Sequence, residues 1–284
     1  MYYVLMALLA AVGAGIAYCR TQHKAALVAA YFLSMAGVMV ADWVAWGMLR
    51  LYEYHPSLSA SPLVDAVWGE LLGDILFVPG TTVALLALGS LAATAVLGTI
   101  LFTVMEQLFI GAGLFTLTGW PVWATPAAFP LYFWVVWRYH RAAVTTGVQG
   151  RWVGLVLRGA LLFCTSATIA LWLRAAQGTT VNIHVMPTQM QNQSLGRFLL
   201  YVLLPAVVGQ WVMAGPRHSR LLAATLGFVL ANYALRALGL QSFTPPWNEV
   251  VDALSQGLGV GVACVLEYWI LRLEQTERGP AFIR

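Results

Sequence analysis

Acidic side chains set in apolar surroundings are the residues of this chain whose types and spacing could do chemistry. The stretch SPLVDAVWGELLGDILFVPG, residues 61–80, reads as a membrane-spanning helix. It nevertheless carries Asp65 near its start and Glu70 and Asp74 further in. Glu70 and Asp74 are four positions apart and are expected to share one helix face. Asp42, beside Trp43 and Trp46, and Glu106 lie in other apolar runs. A carboxylate near the middle of a bilayer span costs roughly 2.5–3.5 kcal/mol. A counter-ion, a hydrogen-bond network, a proton, a water-filled cavity or a bound cation must offset that cost. Hard cations take several carboxylate and carbonyl oxygens. The candidate polar or cation site is therefore Asp42, Glu70, Asp74 and Glu106, with Asn232 and Arg236 expected at a similar depth. In the structural alternative, Arg236, Arg50 or Asn232 satisfies the acids and pins helices together.

The elements that must hold these residues follow from composition. Of 284 residues, 60% are hydrophobic and only 9% are charged, against about 25% charged in a soluble domain. The mean hydropathy is +0.77. A water-soluble surface cannot be built from this set. The expected fold is an all-α, polytopic integral membrane helix bundle forming a single transmembrane domain. Its nine spans are placed at about 2–19, 25–49, 64–88, 91–115, 122–138, 152–174, 196–214, 221–240 and 249–273. Pro79 is expected to kink the third span. The first segment lacks a basic leader, carries its positive charges after the apolar run, and reads as a retained span.

Nine spans divide the basic residues unevenly. One side receives Arg20, Lys24, Arg138, Arg141, Arg151, Arg217, Arg220, Arg272, Arg278 and Arg284. The other receives Arg50, Arg174, Arg197 and Arg236. The first side is expected to be cytoplasmic, with the N-terminus outside and the C-terminus inside. Asp42, Glu70, Glu106, Glu249 and Asp252 then fall in the outer part of the membrane, and Asp74 lies deeper.

A short echo runs through the chain. Glu106 stands seven residues before Gly113-Leu114, and Asn232 stands seven before Gly239-Leu240. Asp42 occupies a comparable place in the second span. The tripeptide Val-Asp-Ala occurs at Val64–Ala66 and Val251–Ala253. Internal repeats are common in transporters, but motifs this short also recur by chance, which is the simpler reading.

Other polar groups have structural explanations. Glu249 and Asp252, at the start of the last span, complement its helix dipole. Glu267, five residues before Arg272, is expected to snorkel and form a local ion pair. His184, in the long polar loop 177–194 with Asn182, is the best candidate for an external acid, base or ligand. Gly257 and Gly261 have the spacing of a helix-packing face through which an oligomer could form. Most tryptophans suit interface belts.

Absences narrow the chemistry. There is no Walker loop, HExxH or GxSxG, so no nucleotide site or familiar hydrolase motif is expected. The only lysine is Lys24, at a span edge, which leaves no retinal Schiff base. All five histidines fall in loops or at span ends, so haem is not expected. Cys19, Cys164 and Cys264 are too scattered for a zinc or disulfide framework. The charge of +4 fits membrane topology and calls for no nucleic acid. A divalent cation is the one cofactor the acids suggest.

The segment VMEQLFIGAGLFTLTGWPVWATPAAFPLYFWVVWRYHR resembles a stretch in uncharacterised multi-pass membrane proteins of spore-forming Firmicutes. The shared features are Glu106, Gly113-Leu114, Trp120 and Tyr132-Phe133-Trp134. The GDILFVP stretch around Asp74 and Pro79 is a looser echo. The resemblance implies a bacterial cytoplasmic membrane. Three functions are open at this point. The first is binding or transport of a cation or small polar molecule at the outer acidic site. The second is a membrane-embedded enzyme acting on a lipid or polyprenyl headgroup. The third is an assembly protein whose acids join helices. The charge bias makes a direct prediction: a reporter fused after Arg284 should be active only in the cytoplasm, and activity only outside would reverse the assigned orientation.

Overall fold

The computed structural model describes residues 2–176, 179–181, 185 and 189–278. His184 and Asn182 lie outside the described residues. The helices are α1 (Tyr2–Arg20), α2 (Lys24–Asp42), α3 (Pro62–Glu70), α4 (Val78–Leu86), α5 (Leu91–Gly111) and α6 (Ala124–Thr146). They continue with α7 (Arg151–Ala175), α8 (Gln189–Arg197), α9 (Leu204–Met213), α10 (Arg217–Ala237) and α11 (Glu249–Arg278). Three π-helical segments interrupt them. Trp43–Met48 extends α2, Leu71–Phe77 joins α3 to α4, and Phe198–Leu203 joins α8 to α9. The described residues thus form nine continuous helical rods.

Seven rods are long and apolar enough to cross a membrane, the architecture of a multi-pass membrane protein. The other two, α6 and α10, are of similar length but more polar. Arg138, His140 and Arg141 lie within α6, and Arg217, His218 and Arg220 open α10, so these residues belong to helices rather than to the connections expected from sequence.

Four short strands add to the all-α architecture. β1 (Tyr52–Tyr54) pairs antiparallel with β2 (Phe115–Leu117), placing Tyr54 opposite Phe115. β3 (Thr179–Val181) pairs antiparallel with β4 (Gln241–Phe243). Both ribbons lie in connections between helical rods, where the sequence was read as irregular loop.

The sequence reads as one transmembrane domain, but its contacts gather into two compact units. One comprises most of residues 2–157 with the end of α11, and the other most of residues 158–268. The element order explains the division. After α1 the chain runs helix, ribbon strand, π-interrupted rod, helix, ribbon strand, helix. From α7 it runs through the same series again.

The two series are in register. The same number of positions separates Pro79 from Pro205, Glu106 from Asn232, and Gly113 from Gly239. Gly113 and Gly239 both take a left-handed conformation, φ 69 and φ 70, which glycine adopts without steric penalty. One position more relates Asp65 to Asn192 and Leu58 to Val185. The Asp65 carboxylate accepts the Leu58 N–H, and the Asn192 side-chain oxygen accepts the Val185 N–H. The Glu106/Asn232 echo is therefore an internal repeat, whereas the two Val-Asp-Ala tripeptides fall in elements that do not correspond, α3 and α11.

Within the first unit, α1 packs on α4 and its π segment, α2 on α4 and α6, and α5 on α4 and α6. Phe77, Phe102 and Phe133 are buried together, and Phe129 stacks on Phe102 at 4.5 Å between centroids. Proline drives the interruption in the third rod. Pro79 has no N–H to give the carbonyl one helical turn earlier, that of Ile75. The Tyr31 hydroxyl donates to that carbonyl instead. In the second unit, a Cβ on Gly257 would sit 2.4 Å from Thr225 Oγ1, and one on Gly261 would touch Leu221. The small-residue face of α11 thus receives α10 of the same chain.

Close packing at Gly98 supplies a stability test. A Cβ there would lie 2.2 Å from Phe133 Cζ, whereas nothing stands within 4 Å of one on Gly227. Gly98→Ala should destabilise the detergent-solubilised protein by about 1–3 kcal/mol. Gly227→Ala should be neutral or stabilising by up to about 1 kcal/mol. Thermal melts of the two variants check the contrast.

Candidate functional site

The candidate site lies within the first unit, in a cavity of about 220 Å³. Asp42 ends α2, immediately before the π-helical segment Trp43–Met48, and Asp74 lies inside the π-helical segment Leu71–Phe77. Single π turns recur at functional sites because they turn side chains out of ordinary helical register. Asp42, Asp74 and Glu106 all line the cavity. Asp42 and Asp74 are 5% and 1% exposed.

Glu70 is fully buried and does not line the cavity. A regular helix would have put it on Asp74's face, but the π segment begins at the next residue and shifts the register.

Tyrosine hydroxyls, rather than bases, hold Asp42. Tyr52 donates to Oδ1, and Tyr54 donates to Oδ2 at 2.6 Å. Both phenols come from strand β1. Burial pushes both hydroxyls well above the usual tyrosine range, with the Asp42 charge adding to the effect. They therefore stay protonated and remain donors. The ribbon seats them closely: a Cβ on Gly69 of α3 would lie only 2.8 Å from Tyr54 Cβ.

Asp42 and Asp74 are both buried and line the same cavity with no basic residue beside them. Like charges confined in one site favour a state in which one carboxyl keeps its proton. Asp42 accepts two hydroxyl protons and Asp74 Oδ2 accepts none, so Asp42 is the better-solvated carboxylate and Asp74 the better-placed acid. No N–H or hydroxyl among the described residues reaches Asp74 Oδ2.

Glu106 sits on another wall. Trp120 Nε1–H donates to Thr125 Oγ1 at 3.0 Å, and the Thr125 hydroxyl donates to Glu106 Oε2. Glu106 Oε1 is buried and receives no hydrogen bond from the described residues. The remaining walls are largely aromatic, among them Tyr3, Phe77, Phe102, Phe109 and Phe129. No Lys, Arg or His is among the lining residues. Among the described residues, no group of three or more His, Cys, Asp and Glu is arranged to hold a metal ion.

Asn232 and Arg236, expected with these acids, have partners in the second unit. Asn232 Nδ2 donates to Asp252 Oδ2 at 2.9 Å, and Arg236 pairs with Glu249. Asp252 is fully buried and also accepts from Gln256 Nε2 at 3.0 Å. Acids read as complements to a helix dipole thus take side-chain partners as well. Glu267 is buried between Arg158 Nε at 2.6 Å and Arg217 at 2.8 Å, so its recorded ion pairs are made with α7 and α10. Arg50 pairs with Glu53 of β1.

Sequence reasoning missed Tyr52, Tyr54, Trp120 and Thr125 as site residues. For the tyrosines, the alternation in Tyr-Glu-Tyr was the available signal: in a strand it puts both rings on one face. Asp65 is a loop anchor, accepting the N–H groups of Ser57, Leu58 and Ser59 at 2.9, 2.5 and 2.9 Å.

No protein-family model matches this chain, and neither does any curated protein or solved structure.

The unequal roles of the two aspartates are testable. Asp74→Asn is neutral, like the protonated acid it replaces, and should change stability by less than about 1 kcal/mol. Asp42→Asn replaces one acceptor oxygen with an NH₂ group facing a donor and should cost about 1–3 kcal/mol. Denaturation of both variants in one detergent distinguishes this order from equal or reversed effects.

Proposed function

We propose that this protein binds a small organic cation in the acidic, aromatic-walled cavity of its first half and moves it across the membrane. The supporting observation is the combination of lining groups: Asp42, Asp74 and Glu106 on aromatic walls, with no basic residue beside them. Aromatic faces attract a cation by about 0.5–2 kcal/mol each, more as water is excluded. A carboxylate in the same low-dielectric space adds an attraction much larger than in water. A hard divalent ion is less well suited, because no group of three or more such ligands is arranged to hold one among the described residues.

The rival readings meet specific obstacles. A lipid or polyprenyl phosphate would face three carboxyls with no Arg or Lys on the lining to offset its charge. Acids serving only to join helices would be expected to take Arg236 and Asn232, which instead serve Glu249 and Asp252.

In this reading all nine rods cross the membrane, with the N-terminus outside and the cavity toward the outer leaflet. Exposed leucines support a lipid face on α10: Leu222, Leu226 and Leu230 recur at intervals of four. On α6, Leu131, Trp134 and Val135 are similarly exposed. The resemblance to Firmicutes membrane proteins supports a bacterial cytoplasmic membrane.

Benzyltrimethylammonium, an aromatic ion of fixed charge, is a suitable probe. Calorimetric titration of the detergent-solubilised protein should detect saturable binding, weakened at least about tenfold (~1.4 kcal/mol) by Asp42→Asn. Absence of binding, or equal binding by a neutral analogue of the same shape, would overturn the proposal.

A further inference from the structure

Resting on the cation-binding reading, we infer that the cavity is a proton exchanger: an entering organic cation displaces the proton that Asp74 carries beside Asp42. The inference comes from charge balance in the cavity. Two buried acids line it without a basic neighbour, and one of them, Asp74, has an oxygen that no donor among the described residues reaches, so with the cavity empty the pair holds one proton and one negative charge. When a cation lies beside the pair, the Asp74 O–H bond breaks. Its electron pair stays on the carboxylate, and the proton leaves to water. One positive charge replaces another, so the pair and its occupant keep the same net charge. Retaining the proton would leave the cation facing one carboxylate and one neutral acid. Losing it gives the cation two carboxylates. The same two oxygen-bearing groups thus serve proton and cation, and simultaneous occupancy is disfavoured.

The surroundings single out Asp74 as the proton donor. Asp74 shares the cavity lining with Tyr3 of α1, Asp42 of α2, Tyr52 and Tyr54 of β1, Glu106 of α5 and Tyr132 of α6. Glu70 stands four residues earlier on its own rod, and Tyr31 of α2 reaches the carbonyl of the next residue, Ile75. Tyr52 and Tyr54 direct their protons to Asp42, Tyr31 to Ile75 O, and Tyr132 shares hydrogen bonds with Ser34 and Thr82. None of these groups is a base that could hold the pair's charge in place of the proton. Glu106 has its own hydroxyl donor, Thr125, on a different wall.

The exchange predicts a fixed stoichiometry. A fixed-charge probe neither takes up nor releases a proton, so any released proton comes from the protein. Benzyltrimethylammonium added to the solubilised protein in weak buffer with a pH-indicator dye should release one proton per bound ion. Its affinity should tighten tenfold for each pH unit over which release is complete. Asp74→Asn should bind with no release and no pH dependence. Glu106→Gln, though weaker in affinity, should still release its proton. Saturable binding without release and with pH-independent affinity would overturn the exchange and leave the binding reading standing. No binding at any pH would remove both. Release that disappears in Glu106→Gln but persists in Asp74→Asn would also overturn the assignment to Asp74. The proton count on the unsubstituted protein decides between exchange and simple binding even if a variant does not fold.

Discussion

Housing two buried aspartates on one cavity lining without a basic residue is the constraint on which the first half of this molecule depends. A buried carboxylate lacking a counter-charge is tolerable only if donors crowd it. The chain supplies two phenols to Asp42 and places Asp74 as the neighbouring acid on the same cavity lining. Each requires a backbone accommodation. The phenols arrive on a three-residue strand whose partner is held by the left-handed turn at Gly113. Gly69 lets that strand lie against α3. The second carboxyl is brought to the cavity by a π turn, and proline at its end leaves a carbonyl that Tyr31 satisfies from α2. Local irregularity and buried charge thus belong to one arrangement.

The second half treats its acids differently. Glu267 lies between two arginines, Glu249 is paired with Arg236, and amide side chains surround Asp252. These are close-range charge and hydrogen-bond pairings of the kind expected where an acid fastens helices. The positions that match Asp42 and Asp74 by the Pro79–Pro205 spacing hold Thr168 and Leu200. The acid pair is consequently a property of one repeat.

The hydropathy pattern made the nine rods legible because lipid contact demands long apolar runs, and most boundaries agree closely. Disagreements cluster where helices outrun their apolar stretch: α6 continues to Thr146, α8 begins at Gln189, and α10 starts at Arg217. Helical hydrogen bonding does not stop where hydrophobicity does. The shared lining of Asp42, Asp74 and Glu106 was also legible, since a carboxylate in a long apolar run is costly to leave on the helix's outer face. The fate of Glu70, Asn232 and Arg236 was not. Four-residue spacing assumes a regular helix, which the π turn breaks. Depth along a span carries no information about which neighbour lies beside it. The ribbons escaped notice because three-residue strands give too short an alternation to stand out among loop residues. The repeat was visible only as two glycine-leucine pairs, because its members have kept backbone geometry while their side chains diverged.

That divergence separates framework from chemistry. Ribbon, π turn, proline and left-handed glycine persist in the half that lacks the acid pair, so this architecture does not owe its existence to the carboxyls it holds. The molecule carries within itself a version of its own scaffold with apolar and hydroxyl residues where the aspartates stand. For a designer, those residues are a ready template for silencing the site, and their counterparts are a template for installing a second one. For an evolutionary account, a duplicated chain needed only one copy to keep its charge, leaving the other free to become ballast, brace or a new receptor.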